Sequence, residues 1–156
     1  MNHEKYLNKA IALAVENVKD QGGPFGAIVV SKDGEVVGTG KNRVTSTNDP
    51  TAHAEVQAIR DACQKLGSFQ LQDCVLYTSC EPCPMCLGAI YWSRVEKVYY
   101  AADQKLAAAG GFDDAFIYEE IAKKQEDRKI PFYAINLSDR NLPFETWGKL
   151  EGKTEY

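Results

Sequence analysis

Two short stretches, His53-Ala54-Glu55 and Pro82-Cys83-Pro84-Met85-Cys86, constrain the fold of this chain more than any other feature, because their side chains make chemical sense only together. One imidazole and two thiols form a tetrahedral zinc donor set, and a zinc with three protein donors keeps its fourth position for water. Bound zinc lowers the pKa of that water from about 16 to about 7, so a nucleophile is available at neutral pH. Glu55 follows His53 by two residues, beside the metal by chain geometry, and is placed to move protons rather than to bind. Whatever the fold, it has to carry both stretches to one point.

Local patterns indicate how. Asp49 reads as an N-cap with Pro50 at the first helical position, which predicts a helix to about Leu66, before Gly67, with His53 and Glu55 in its first turn. Val56, Ile59, Ala62, Cys63 and Leu66 form its apolar side. Cys74 to Thr78 reads as a strand, followed by a second Pro-led helix start at Pro82. Cys83 and Cys86 are then spaced i and i+3, so both sulfurs project from one turn. A helix N-terminus also favours the thiolate form.

The remaining elements fit around this pair. Tyr6, Leu7, Ala10, Ile11, Ala14, Val15 and Val18 recur at helical spacing, an amphipathic helix ended by Gln21-Gly22-Gly23-Pro24. Phe25 to Val30 reads as a buried strand, joined through the turn Lys32-Asp33-Gly34 to a second strand around Val36 and Val37. Lys41 to Asp49 is polar and turn-rich. Val95 to Ala101 is predicted as a fourth strand, Asp113 to Lys123 as a helix and Pro131 to Leu137 as a fifth strand; Leu106 to Phe112 reads as a loop over the site, and Phe144, Trp147 and Leu150 mark a short closing segment. Strands alternating with helices after a hairpin predict an α/β fold, a three-layer α/β/α sandwich around one five-stranded mixed sheet. A chain of 156 residues suits a single domain.

Composition excludes several classes. Eighteen basic residues against twenty-two acidic ones give a net charge of −4 without a basic block, so the footprint of nucleic-acid binding is missing and a small substrate is expected. Apolar runs are too short to span a bilayer, and the N-terminus does not read as a signal peptide, so no membrane partner and a cytoplasmic location are expected. Five cysteines, three of them clustered at Cys80, Cys83 and Cys86, suit metal ligation in a reducing compartment better than a disulfide framework.

Each signal has a plainer reading. Cys80 with Cys83, Cys86 and His53 could close a four-donor structural site, although Cys80 precedes the Pro-led helix and lies off the face shared by the other two. Cys63 and Cys74 read as small buried side chains. Glu55 could be a first-turn acid favoured by the helix dipole, Asn42 a turn residue, Phe25 a core aromatic, and Asp113 or Asp114 a helix cap. His-x-Glu followed by Pro-Cys-x-x-Cys is nevertheless the zinc deaminase pattern, in which the Glu acts as acid and base without binding metal.

Through these residues the chain resembles the cytidine deaminase superfamily, and within it the small bacterial guanine deaminases. The resemblance runs over Gly23-Pro24-Phe25-Gly26-Ala27, Asn42, Asp49 to Glu55, Thr78 to Cys86, Gly111-Phe112-Asp113-Asp114 and the terminal Tyr156. It implies hydrolytic deamination of guanine to xanthine and ammonia, with one Zn2+ per subunit on His53, Cys83 and Cys86 and with Glu55 as proton shuttle. It further implies that Asn42 and the Ala54 N–H hold the ring, Phe25 packs on the base, and Asp114 recognises the guanine edge or assists departure of the amine. Tyr156 would help close the pocket of a homodimer, from a C-terminal segment, about residues 138–156, exchanged between subunits. The rival readings are a deaminase of guanosine, cytosine or a tRNA adenosine, and a non-catalytic zinc-stabilised interaction domain.

Overall fold

A computed structural model describes all residues, Met1–Tyr156, which divide into two compact units, Met1–Ala115 and Phe116–Tyr156. In the first, helix α1 (His3–Lys19) is followed by strands β1 (Gly26–Val30) and β2 (Val36–Lys41), a short helix α2 (Val44–Thr47), helix α3 (Ala54–Leu66), strand β3 (Val75–Cys80), helix α4 (Pro84–Ser93), strand β4 (Lys97–Ala102) and helix α5 (Gln104–Ala109). Asn2 caps α1 through the Lys5 N–H at 3.0 Å, and α1 buries Tyr6, Ala10, Ala14 and Asn17 along one side.

The sheet runs β2-β1-β3-β4, with β1 antiparallel to β2 and β3, and β3 parallel to β4. The Asp-Gly hairpin is as expected, with Gly34 at φ 83°, a value that glycine adopts without a Cβ penalty. All of β1 is buried because it is central and covered on both faces. Ala27 and Val29 point into one cluster with Ala54, Ala58 and Ala62 of α3, Leu76 of β3 and Ile90 of α4. Ile28 and Val30 point into the other, with Tyr6 of α1, Val75 and Tyr77. Helices therefore cover both faces, α1 on one and α3 with α4 on the other, which gives the three layers.

The close approach of α3 depends on β2. A Cβ at Gly40 would overlap the Ala54 carbonyl and the Ala58 amide, and one at Gly38 would overlap Ala58 and Ala62. Glycine on the strand and alanine on the helix bring two backbones together, and that contact sets the height of the α3 N-terminus above the sheet.

Several expectations are corrected. The sheet has four strands, not five: residues 131–137 form no strand. Their apolar residues suit a strand, but Pro131 lacks an N–H and no neighbouring strand satisfies the rest, while the Phe132 N–H bonds to the Gln125 carbonyl at 3.1 Å. Residues Leu106 to Ala109, expected in a loop, belong to α5, whose N-cap Asp103 accepts the Leu106 N–H at 2.9 Å. The polar stretch after β2 contains α2.

The second unit holds helix α6, which starts at Ala115 and ends at Ala122, a 3-10 turn at Gln125–Asp127 and helix α7 (Leu142–Lys149). Glu120 knits it locally, accepting from Lys123 at 2.6 Å and from the Lys129 N–H at 2.7 Å. No helix is long and apolar enough to cross a membrane.

Candidate metal centre

The helix expected to start at Pro50 starts instead at Ala54, and His53 is its N-cap. The reason is a competing turn: Asp49 Oδ1 accepts both the Thr51 N–H, at 2.8 Å, and the Thr51 hydroxyl, at 2.6 Å, while the Ala52 carbonyl is taken by the Arg43 N–H at 2.9 Å. His53 makes no side-chain cap bond, so its imidazole is left to face outward from the helix end. The second start is likewise shifted, with Cys83 as N-cap and Pro84 in the first turn of α4. Both helix ends therefore present a donor at the same structural position.

These ends meet. His53 Nδ1 lies 3.4 Å from Cys83 Sγ and 3.5 Å from Cys86 Sγ, and the three donor atoms all fall within 4.8 Å of one another. A tetrahedral zinc with bonds of about 2.3 Å to sulfur and about 2.05 Å to nitrogen separates N from S by about 3.6 Å. The cluster matches that spacing, and the donor set is the one that zinc prefers.

The three donors share protons closely. The Cys83 thiol is lowered to about 4, first by its hydrogen bond with Cys86 and, against burial, by the bond to His53. Cys86 is pushed up by the same shared hydrogen bond and by burial, so one proton serves two sulfurs. The Cys83 bond raises His53 despite burial. Glu55, 6% exposed, accepts from Cys86 Sγ at 3.4 Å through Oε2 and from Thr78 Oγ1 at 3.3 Å through Oε1. Burial raises its carboxyl above the usual range.

Cys80 ends β3 and lies outside the donor cluster. Burial, reinforced by the Glu55 and Asp114 carboxylates, pushes its thiol to about 11, so it remains protonated beside the site. The three-donor arrangement leaves a coordination position open.

The other expected residues divide. Phe25 packs edge-to-face on Phe112, with ring centroids 4.9 Å apart at 86°, and both line an apolar cavity of about 380 Å³ that runs along Ile11, Ala14 and Val15 of α1 and Leu106 of α5 and is not lined by the metal donors or Glu55. Asn42 accepts the Val44 N–H at 3.2 Å through Oδ1, which leaves its Nδ2 as a donor. Ala54, fully buried, opens α3, so its N–H has no intrahelical acceptor. Asp113 caps the following turn through the Ala115 N–H at 2.9 Å, whereas Asp114 accepts from Gln104 Nε2 at 2.9 Å. Tyr156 belongs to the second unit and is 74% exposed in the single chain.

Sequence reading missed Asn17, Thr78 and Gln104. Asn17 Nδ2 donates to the carbonyls of Gly23, at 2.9 Å, and Asn42, at 2.8 Å, tying α1 to the Gly23-Pro24-Phe25 turn and to the end of β2. A signal existed: Asn17 falls in phase with the buried stripe Tyr6, Ala10, Ala14, where a polar residue needs partners.

Residues 1–102 match the family described as the cytidine and deoxycytidylate deaminase zinc-binding region. The chain is 58% identical over 157 residues to guanine deaminase of Bacillus subtilis (strain 168), covering 100% of both. It superposes on the X-ray structure of the Bacillus subtilis guanine deaminase with a TM-score of 0.98 at 57% identity, covering 100% of this chain and 99% of that one. A solved protein designated NE0047, in complex with 2,6-diaminopurine, gives a TM-score of 0.69 at 37% identity, covering 72% and 62%.

Proposed function

This chain belongs to the cytidine and deoxycytidylate deaminase family, and from that premise we propose that it hydrolyses guanine to xanthine and ammonia with one zinc per subunit. The observation that carries the reading is the 58% identity to a guanine deaminase over the full length of both chains. The geometry of His53, Cys83, Cys86 and Glu55 supports it.

In this reading His53 Nδ1 and the sulfurs of Cys83 and Cys86 hold the zinc, which when bound makes water nucleophilic at neutral pH. Glu55 takes the proton that water loses on adding to C2 of guanine and delivers it to a ring nitrogen. The proton of the hydroxyl added at C2 is then passed to the exocyclic amine, the C2–N bond breaks as the C2 carbonyl forms, and the amine departs as ammonia to leave xanthine. Thr78 holds one Glu55 oxygen and leaves the other, Oε2, on the metal side. The unpaired Ala54 N–H and Asn42 Nδ2 are donors for acceptor atoms of the ring, Phe25 offers it an aromatic surface, and Asp114 accepts from the N–H groups of its amine-bearing edge.

The active form is proposed to be a homodimer in which residues 138–156 are exchanged, so that Tyr156 closes the partner's pocket. Support comes from the second unit, where Ile130, Tyr133, Ile135 and Phe144 are 72–76% exposed in one chain, as apolar residues covered by a partner would be. A role in purine metabolism follows from the guanine reading, and a cytoplasmic setting is part of the same proposal.

The test is ammonia release from guanine, guanosine, cytosine and a tRNA carrying the target adenosine, with zinc quantified on the same sample. Guanine is expected to be preferred. Release from another member alone would reassign the substrate, and none from any member at full zinc content would favour a zinc-stabilised interaction domain.

A further inference from the structure

A relay of hydrogen bonds in the first unit has no part in the proton transfers above, yet it ends on one of the groups assigned to substrate. Glu81 lies in Cys80-Glu81-Pro82-Cys83, the link from β3 to the turn that carries both sulfurs. Its N–H donates to the Ala102 carbonyl at 2.8 Å, at the end of β4. Its Oε2 accepts the Gln104 N–H at 2.8 Å as α5 begins, and Gln104 Nε2 donates to Asp114 Oδ1 at 2.9 Å. Both of the last two bonds are partly buried, where water competes less for the donors.

The relay answers a local problem. Asp114 follows Gly110-Gly111, with Gly111 at φ 93°, in a connection that by itself leaves an aspartate free to sample several rotamers. Its neighbour Asp113 is committed to the Ala115 N–H, so capping of the next helix does not involve Asp114. Gln104 engages Oδ1 of Asp114, which leaves Oδ2 as a second acceptor. The Asp114 and Glu55 carboxylates act on the same Cys80 sulfur, which puts the two acids within electrostatic reach of one point beside the donor cluster.

We infer that Glu81 and Gln104 are positioning residues, a strut that fixes the Asp114 carboxylate relative to the turn bearing Cys83 and Cys86. The inference rests on the guanine reading and on the place of Asp114 in it. Gln104 suits the task because a neutral amide donates to a carboxylate without cancelling its charge, so Asp114 stays an acceptor for an edge made of N–H groups. Misplacing such a group by about 1 Å can cost up to about a hundredfold in rate.

The zinc-loaded enzyme and its variants are compared by guanine kinetics, zinc content and calorimetric binding of 8-azaguanine. Gln104→Met keeps the packing and removes only the amide. It is expected to retain wild-type zinc and thermal midpoint while kcat/KM falls about 10- to 100-fold and 8-azaguanine binds more weakly. Gln104→Glu, which sets one carboxylate against another, is expected to lose at least as much. Glu81→Ala, which removes the acceptor of the Gln104 N–H, is expected to lower kcat/KM about 10-fold at wild-type zinc, and Glu81→Gln, which still offers an oxygen, to recover most of that loss; wild-type rates in Glu81→Ala would remove Glu81 from the strut. In an Asp114→Ala background, Gln104→Met should cost nothing further, because it acts through a side chain no longer there.

Unchanged kcat/KM in Gln104→Met, or a loss that adds in full to that of Asp114→Ala, overturns the strut. Wild-type rates in Asp114→Ala remove the Asp114 role and the strut together. A wild-type enzyme that fails on guanine sinks the reaction itself, and that result is known before any variant is made.

Discussion

The two units of the chain treat their apolar residues in opposite ways. In Met1–Ala115, β1 disappears between α1 on one side and α3 with α4 on the other, and the buried polar groups of the site have partners. In Phe116–Tyr156 no side chain is buried, and Phe144 and Ile130 stand 76% exposed. The difference teaches where each part gets its order. The first unit has a core of its own, although Tyr91, Trp92 and Leu106 are 63–75% exposed on its surface, whereas the second buries no side chain.

The most severe way to probe this contrast is to break the first unit's donor set. Cys86→Ala should drop zinc from one per chain to almost none and abolish ammonia release, with metal analysis and activity read on one sample; a variant that keeps both would detach the chemistry from the cluster. Next is Glu55→Gln, expected to retain zinc while activity falls about a thousandfold or more. Retained turnover there would remove the proton shuttle and leave only a metal site.

The second unit is tested by complementation. Glu55→Gln chains and Tyr156→Ala chains, each inactive alone, should regain activity when refolded together, because a mixed dimer joins an intact Glu55 to an intact Tyr156. Random pairing restores about a quarter of the sites. No recovery, despite dimers in sedimentation, would place Tyr156 in its own chain's site or outside any site. The smallest effect is expected at Cys80→Ser, with zinc content unchanged and activity within about twofold, since its thiol is held protonated away from the donors. Loss of metal in that variant would convert the open site into a closed one.

Much of this was legible in residues whose meaning is local. The helix α1, the Asp-Gly hairpin and the i, i+3 spacing of Cys83 and Cys86 each depend on a few neighbours and appear as expected, except that the apolar stripe of α1 is only partly buried: Tyr6, Ala10 and Ala14 face the core while Ile11, Val15 and Val18 are exposed. What misled were places where two local rules compete. Asp49-Pro50 is a sound helix start, but Asp49 spends its carboxylate on Thr51, and the helix begins only where His53 can cap it. Residues 131–137 have the composition of a strand, but a strand also needs an edge to pair with, and no short window encodes that edge. Asn17 and Gln104 escaped for a third reason: their partners lie 6 and 25, and 10 and 23, residues away, so the phase of Asn17 with the buried stripe marks it as needing partners without naming them, and Gln104 has no such mark.

The bare inner side of β2 has a mechanical consequence. Where Gly38 and Gly40 meet Ala54, Ala58 and Ala62, main chain rests on main chain, with no long side chain between them to act as a spring. The seat of His53 is therefore set by the sheet beneath it. A side chain larger than hydrogen at Gly38 or Gly40 would push on the helix that His53 caps, so the placing of the imidazole is decided a strand away, at residues with no functional group at all.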